Sequence, residues 1–191
     1  MLRSNGRYNV KIGVFGSAFN PPHMGHLSVI RQAMKHFDLI LVAPSYRHAF
    51  GKVMPDFADR ERMIKALFKH LPTDGAAVEF TDVERRIARL KGRAEPIYTF
   101  DLLSEVEKDN PDAAISFIVG PDNAANETWS RFYNGAEILK RWEVFVAKEL
   151  LPIRSSDIRS ILNAKGEILE HLCPVEIQDI YKSIDTKGTA A

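Results

Sequence analysis

The chain predicts a doubly wound α/β fold: a mostly parallel five-stranded sheet with helices on both faces and a helical segment at the C-terminal end. Two observations carry this. Short apolar runs alternate with longer amphipathic segments along the chain, and such alternation builds parallel sheets covered by crossover helices. The first run leads at once into a Gly/Pro-rich loop carrying two histidines, followed by apolar residues at helical spacing. In sheets of this kind ligands sit beyond the carboxyl ends of the strands, where the strand order reverses. The loops after the strands are therefore the places to look for function.

Each element has its own signal. Lys11–Phe15 reads as the first strand, and His26–His36 as a helix with Leu27, Ile30, Ala33 and Met34 at helical spacing. Leu39–Ala43 is a second apolar run closed by Pro44, and Phe57–His70 a helix with Met63, Ile64, Leu67 and Phe68 on one face. Ala77–Phe80 gives a third strand. Thr99–Lys108 reads as a helix whose end is marked by Asn110-Pro111. Ala114–Val119 is the strongest later strand, ending at Gly120-Pro121, with a short helix over Ala136–Lys140 and a fifth strand over Glu143–Ala147. Ser155 caps a helix to Leu162, Pro174–Ile184 forms the last helix, and Thr186–Ala191 is a frayed tail. No repeat or low-complexity linker interrupts this order. Residues 1–191 read as one domain, with a core over 11–165 and a C-terminal helical segment over 166–185.

Composition narrows the function classes. Of 191 residues, 45% are apolar and 27% charged, the balance of an ordinary globular domain. Lys and Arg number 26 against 25 Asp and Glu, and a net charge of +1 argues against a general nucleic-acid binder. The basic runs Arg85-Arg86 and Arg89-Leu90-Lys91 read as solvated faces. One cysteine, Cys173, excludes an intramolecular disulfide and fits a reducing compartment. No apolar run approaches the roughly 18 residues that span a bilayer. The N-terminal MLRSNGRYNVK lacks the apolar stretch of a signal peptide. A cytoplasmic protein with no membrane partner is the expectation, and a homo-oligomer stays open. No Cys or His cage for a metal is visible.

The loop GSAFNPPHMGH, residues 16–26, holds the chemistry. It places His23 and His26, with Gly25 between them, at the start of a helix beginning at about Met24 or Gly25. A helix N-terminus attracts phosphate through its unsatisfied N–H groups and partial positive charge. Two imidazoles three residues apart can turn toward one anion on the same side. By itself the segment is a phosphate cradle.

This segment resembles the GxFxPxHxGH signature of nucleotidyltransferases that transfer a nucleoside monophosphate from ATP or CTP. Ser155-Ser156-Asp157-Ile158-Arg159 looks like the C-terminal Ser-Ser…Ile-Arg motif of the same superfamily. Ile118-Val119-Gly120-Pro121-Asp122 followed by Trp129 resembles the G-x-D…W segment of the nicotinate/nicotinamide mononucleotide adenylyltransferases. Pro96-Ile97-Tyr98-Thr99 looks like that family's Tyr-Thr stretch before a helix. The four elements keep the family's order over roughly residues 11–165.

The resemblance implies a Rossmann-like fold and transfer of AMP from ATP to a pyridine mononucleotide. A phosphate oxygen would attack the α-phosphorus in line and pyrophosphate would leave, so catalysis reduces to positioning and charge stabilisation. His23, His26 and Arg159 are the implied catalytic residues. The histidines would donate to non-bridging oxygens rather than act as bases, and Arg159 would hold the departing pyrophosphate. Gly16, Ser17, Ala18, Phe19, Gly25, Gly120, Asp122, Ser155 and Ser156 would line the ATP side, with Asp122 on ribose hydroxyls. His48, Lys52, Tyr98, Thr99 and Trp129 would form the mononucleotide side, with Trp129 stacked on the pyridine ring. Mg²⁺ would be held mainly by ATP phosphates and water. Trp142, Phe117 and Phe145 read as core, and His36, His70 and His171 as surface or helix-end residues.

Two departures stand out. The family's loop usually reads G-G-T-F-D-P, where this chain has Gly16-Ser17-Ala18-Phe19-Asn20-Pro21; Ala18 lacks a hydroxyl that Ser17 can supply from next door. Between Ala147 and Ser155 the family usually carries a longer stretch with another strand, and here Lys148–Arg154 alone makes the crossing. Two other readings follow: another transferase of the superfamily, such as a phosphopantetheine adenylyltransferase, or a nucleotide-binding regulator without turnover.

Overall fold

A computed structural model describes residues 10–47, 53–91, 96–120 and 129–188. Strands β1 (Val10–Ser17), β2 (Leu39–Pro44), β3 (Ala77–Phe80), β4 (Ala113–Val119) and β5 (Glu143–Val146) form one sheet in the order 3-2-1-4-5. Every neighbouring pair is parallel; in the centre, Val14 of β1 lies between Leu41 of β2 and Phe117 of β4. The chain steps outward from β1 to β3 and then returns to the far side of β1. The strand order therefore reverses between β1 and β4, and a crevice opens beyond their carboxyl ends.

The described helices are α1 (Met24–Ala33), α2 (Phe57–Phe68), α3 (Val83–Lys91), α4 (Thr99–Asp109), α5 (Gly135–Arg141), α6 (Ser155–Asn163) and α7 (Val175–Gly188). Alternation along β1 divides the core. Ile12 and Val14 face one layer with Ile87 of α3, Leu103 of α4 and Ile138 of α5. Phe15 faces the other, with Ile30 of α1 and Ile64 of α2. Gly13 shares that second face at very close range: a Cβ there would lie 2.6 Å from Ile118 Cδ1 and 2.8 Å from the Phe37 ring. A third cluster lies away from the sheet, where Ile158 of α6 and Ile177 of α7 pack on Leu27 of α1 and Met63 and Leu67 of α2. The C-terminal helices thus form an outer layer over the helices that flank the histidine loop.

Helix α3 is not expected from the sequence pattern. Its buried apolar positions are few, Val83, Ile87 and Ala88, and the basic runs at 85–86 and 89–91 dominate the segment. Those bases cover its outer side: Arg85 pairs with Asp82 at 2.6 Å, and Arg86 pairs with Asp109. Helix α7 reaches Gly188, so the segment from Thr186 to 188 is helical rather than frayed. Phe145 is half-buried against Phe37 and His36 rather than in the core, whereas Phe117 and Trp142 are buried as expected. No described helix is long and apolar enough to cross a membrane.

The outer layer is held by one buried amide. Gln178 Nε2 donates to Ile168 O at 2.9 Å and to Cys173 O at 2.7 Å, closing the turn that leads into α7. Gln178→Leu leaves both carbonyls unpaired, and we expect a loss of about 2 kcal/mol or more in urea unfolding at pH 7.

Candidate active site

The crevice is a cleft of about 360 Å³, walled by the loop after β1, the start of α4, the end of β4 and the segment from Lys148 to Ser155. The loop after β1 folds as it does because it makes few hydrogen bonds of its own. Pro21 and Pro22 have no N–H, Asn20-Pro21 is cis and Phe19 is left-handed (φ 48°). Its carbonyls are instead taken from outside. Arg60 Nη1 donates to Ala18 O at 3.0 Å, Arg159 Nη1 to Asn20 O at 2.6 Å, and Ser155 Oγ to Pro21 O at 3.0 Å. The Cys173 thiol, buried and pushed up to about 12, remains protonated and points its S–H at Pro22 O over 3.8 Å.

The histidines are interlocked. His23 caps α1 with its Nδ1 accepting from the Gly25 N–H at 3.1 Å. His26 Nδ1 accepts from the His23 N–H at 3.2 Å, and the two ring centroids are 4.0 Å apart. Since each Nδ1 accepts a backbone proton, each neutral ring carries its own proton on Nε2. His26 Nε2 lies 3.3 Å from Ser17 Oγ, and its ring rests 4.8 Å from that of Phe19. Gly25 is needed here: a Cβ would sit 2.8 Å from the His23 ring. Both rings are held neutral. Burial, with help from the Arg154 charge, lowers His23 from 6.5 to about 4, and burial with the nearby His23 pushes His26 well below 6.5.

The backbone of α1 is not the phosphate donor the sequence suggested. Met24 N–H donates to Leu172 O at 3.0 Å, Gly25 N–H to His23, and His26 N–H to His23 O. What α1 offers is two imidazole N–H groups. The open helix terminus belongs to α6, where the Ser155 and Ser156 N–H groups meet no acceptor among the described residues.

Of the expected site residues, Gly16, Ser17, Ala18, His23, Gly25, His26, Thr99, Gly120, Ser155 and Arg159 line this one cleft. At Gly120 a Cβ would meet nothing within 4 Å among the described residues. Phe19 and Ser156 lie behind or outside the wall, Phe19 as the buttress of His26 and Ser156 exposed with its Oγ 3.4 Å from Asp157. Tyr98 stacks on Tyr133 at 4.6 Å and receives Asp101 at its N–H, capping α4. His48, Lys52 and Asp122 fall outside the described residues. Trp129 differs from expectation. It is 7% exposed and lies behind Phe132 and Phe117, which do line the cleft.

Several cleft residues carried no sequence signal. The short Lys148–Arg154 crossing has no strand and supplies one wall directly, with Gln32 of α1 clamping Lys148 at both its N–H (3.0 Å) and its carbonyl (3.1 Å). Asn20, 2% exposed, donates to Val53 O at 3.4 Å, and its Oδ1 at the cleft wall has no partner among the described residues. Glu84 lies on the unforeseen α3, buried at the cleft edge. It accepts the Tyr46 N–H at 2.7 Å and is pushed up to about 8 by burial, against the pull of that N–H and of Arg60. The i,i+4 pairing of Glu84 with Ala88, which puts it on the apolar side of α3, is the one clue to it in the sequence.

The chain is similar to known proteins of one family. The cytidylyltransferase-like family model matches residues 14–161. A Myxococcus xanthus protein named a probable nicotinate-nucleotide adenylyltransferase is 30% identical over 177 residues, 86% of this chain and 88% of that one. A Chlorobium phaeobacteroides protein of the same name is 27% identical over 139 residues, 72% of this chain and 66% of its own length. Among solved structures, one from Vibrio parahaemolyticus named as a nicotinate-nucleotide adenylyltransferase superposes with a TM-score of 0.73 at 33% identity, covering 90% of this chain and 98% of that one. A Plasmodium falciparum nicotinic acid mononucleotide adenylyltransferase complexed with NaAD shares the fold, with a TM-score of 0.65 at 18% identity, 90% of this chain and 94% of that one. The chain belongs to the cytidylyltransferase-like family of nucleotidyltransferases, on the branch of the nicotinate-nucleotide adenylyltransferases.

Two titrations follow with opposite signs. His23 titrates near 4 in the fold against 6.5 unfolded, so the unfolded chain binds more protons between those values and stability falls as pH drops through them. Glu84 titrates near 8 against 4.5, so the fold holds the extra proton and stability falls as pH rises toward 8. We expect His23→Asn, which keeps a capping acceptor, to flatten the loss of Tm between pH 7 and 5. Glu84→Gln, which keeps the acceptor for Tyr46, flattens the loss between pH 5 and 8.

Proposed function

We propose that the chain transfers the adenylyl group of ATP to nicotinate mononucleotide, forming the dinucleotide and pyrophosphate. The observation that carries this reading is the pair of neutral Nε2–H imidazoles that share one cleft with Arg159 and the open N-terminus of α6. A mononucleotide phosphate oxygen attacks the α-phosphorus, the bond from that phosphorus to the bridging oxygen breaks, and pyrophosphate leaves with the electron pair. No protein nucleophile is needed. Neutral histidines suit this chemistry, because they donate to oxygens that gain charge in the transition state, and a phosphate ionised near neutral pH needs no base. Arg159 and the Ser155 and Ser156 amides face the leaving pyrophosphate.

Magnesium enters with ATP. Among the described residues no group of carboxylates, histidines and cysteines could hold a metal ion, and an ion held by phosphate oxygens and water needs none. Nicotinate is chosen over nicotinamide because the named relatives carry it. Thr99 and the cleft-facing Phe132 are the described residues beside which the pyridine ring would lie, with Trp129 packed behind Phe132 as its support, and His48, Lys52 and Asp122 keep their proposed parts as substrate ligands.

The test is incubation with ATP, Mg²⁺ and either mononucleotide, read as pyrophosphate release and dinucleotide formation. We expect turnover with nicotinate mononucleotide. Release with phosphopantetheine instead would move the chain to another transferase of its superfamily, and no release with any of these acceptors would leave a nucleotide-binding regulator. His26→Ala removes one transition-state donor and is expected to lower kcat by about 10²–10³ while the circular dichroism spectrum stays unchanged. Near wild-type turnover would sink the role given to the histidine.

A further inference from the structure

We infer that Glu84 reads the ring substituent of the acceptor: one of its oxygens is held by the protein, and the other presents an acid proton to the carboxylate of nicotinate mononucleotide. The identity of the ligand is taken from the adenylyl-transfer reading, and the remainder stands on geometry. Glu84 is 6% exposed and lines the cleft together with Ser45 and Thr99. Its helix packs on β2 and on α4, whose first residue is Thr99. Glu84 Oε2 accepts the Tyr46 N–H at 2.7 Å. Oε1 has no hydrogen bond among the described residues, yet it is not one of the buried side-chain atoms closed off without a partner. The cleft is its outlet.

The surroundings keep this group an acid. Arg60 of α2 is the cation whose charge reaches it, but Arg60 donates to the Pro55 and Ala18 carbonyls instead. Asp101 of α4 adds a like charge, itself paired with Lys91 at 2.7 Å. The turn after β2 brings the Tyr46 N–H, with the Arg47 guanidinium 5.6 Å over the Tyr46 ring. On its own helix Arg85 is taken by Asp82 at 2.6 Å. Burial therefore outweighs the stabilising contacts, and Glu84 keeps its proton up to about pH 8. With Oε2 occupied by an N–H, that proton sits on Oε1. A neutral acid donates a strong hydrogen bond to a carboxylate. Once ionised it repels that carboxylate and accepts from an amide N–H instead. Nicotinate and nicotinamide mononucleotides share phosphate and ribose and differ at the ring substituent, so a residue able to turn from donor to acceptor discriminates between them.

Isothermal titration of the full chain with each mononucleotide at about pH 7 and about pH 9 decides this, because binding is read without turnover. We expect the ratio of the two affinities to favour nicotinate mononucleotide at the lower pH. It should fall on the order of tenfold at the higher one, as a donor becomes a like charge. The ring carboxylate stays ionised and the mononucleotide phosphate largely so across this range, and His23 and His26 stay neutral, so the change in ratio reports on Glu84. Glu84→Gln keeps a carbonyl for the Tyr46 N–H and a permanent N–H for the cleft. Its ratio should still favour nicotinate and agree within about twofold at the two pH values. Circular dichroism at each pH shows that the folded chain is being titrated. If Glu84 serves only to hold Tyr46, the wild type keeps one ratio at both pH values, and Glu84→Ala weakens both mononucleotides alike. Either result overturns the inference. A chain that binds neither mononucleotide overturns the proposed acceptor and the role of Glu84 together, whereas one that binds both at a pH-independent ratio overturns the role of Glu84 alone.

Discussion

Everything at the cleft depends on carbonyl groups that the histidine loop cannot satisfy by itself. Residues 18–22 leave the sheet with two prolines and a left-handed Phe19, so no regular ladder serves them. Buried carbonyls without donors are costly. Four of them are met from distant parts of the chain: Arg60 on α2, Ser155 and Arg159 on α6, and Cys173 before α7. A fifth tie, Met24 N–H to Leu172 O, takes the first free donor of α1. The loop is thus placed by residues up to 151 positions away in sequence. Its rigidity is a tertiary property. The two imidazoles inherit it, because His23 and His26 are oriented by backbone N–H groups of that same loop.

This constraint explains the outer layer of helices. An α/β sheet of five strands is already covered on both faces without α6 and α7. They pack instead on α1 and α2 through Ile158, Leu162 and Ile177. That position sets Ser155 and Arg159 over the loop and aims the free end of α6 into the cleft. Gln178 fixes the turn from which Leu172 and Cys173 reach back. The apolar contacts bring the layer in, and the hydrogen bonds determine where the loop sits beneath it.

Much of this was legible in sequence, for a physical reason. Strands such as Ala113–Val119 are long apolar runs, and helices such as α1 and α2 repeat their apolar residues at helical spacing, so their burial is written locally. The histidine loop and Ser155–Arg159 could be read because their chemistry needs particular residues at short spacing. Helix α3 could not, since its buried apolar residues, Val83, Ile87 and Ala88, stand among mostly basic neighbours and give no clear face. Glu84 and Arg60 were silent for a different reason. A buried charge is recognisable only from what surrounds it, and their surroundings are assembled from β1, β2 and α2 together. Trp129 shows the converse: a residue type suggested stacking on a ligand, whereas the fold places Phe132 and Phe117 in front of it.

The direct crossing from β5 to α6 changes how the cleft is built. With no strand between Ala147 and Ser155, the backbone of Lys148 is clamped to Gln32, and the following residues must run along the cleft mouth to reach the α6 cap. That path brings a carboxylate and a guanidinium, Glu149 and Arg154, to the same wall as the histidines. Arg154 in turn contributes to keeping His23 neutral, so the wall and the histidines are electrostatically coupled. Under the proposed function, a polyphosphate bound at this wall would reverse the sign of that coupling. Negative charge beside His23 and His26 favours a proton on each ring, opposing the burial that holds them neutral in the free chain. A second proton on either ring would fall on Nδ1, which already accepts a backbone N–H, so the capping bonds oppose it along with burial, and each ring is kept as a neutral donor through Nε2–H.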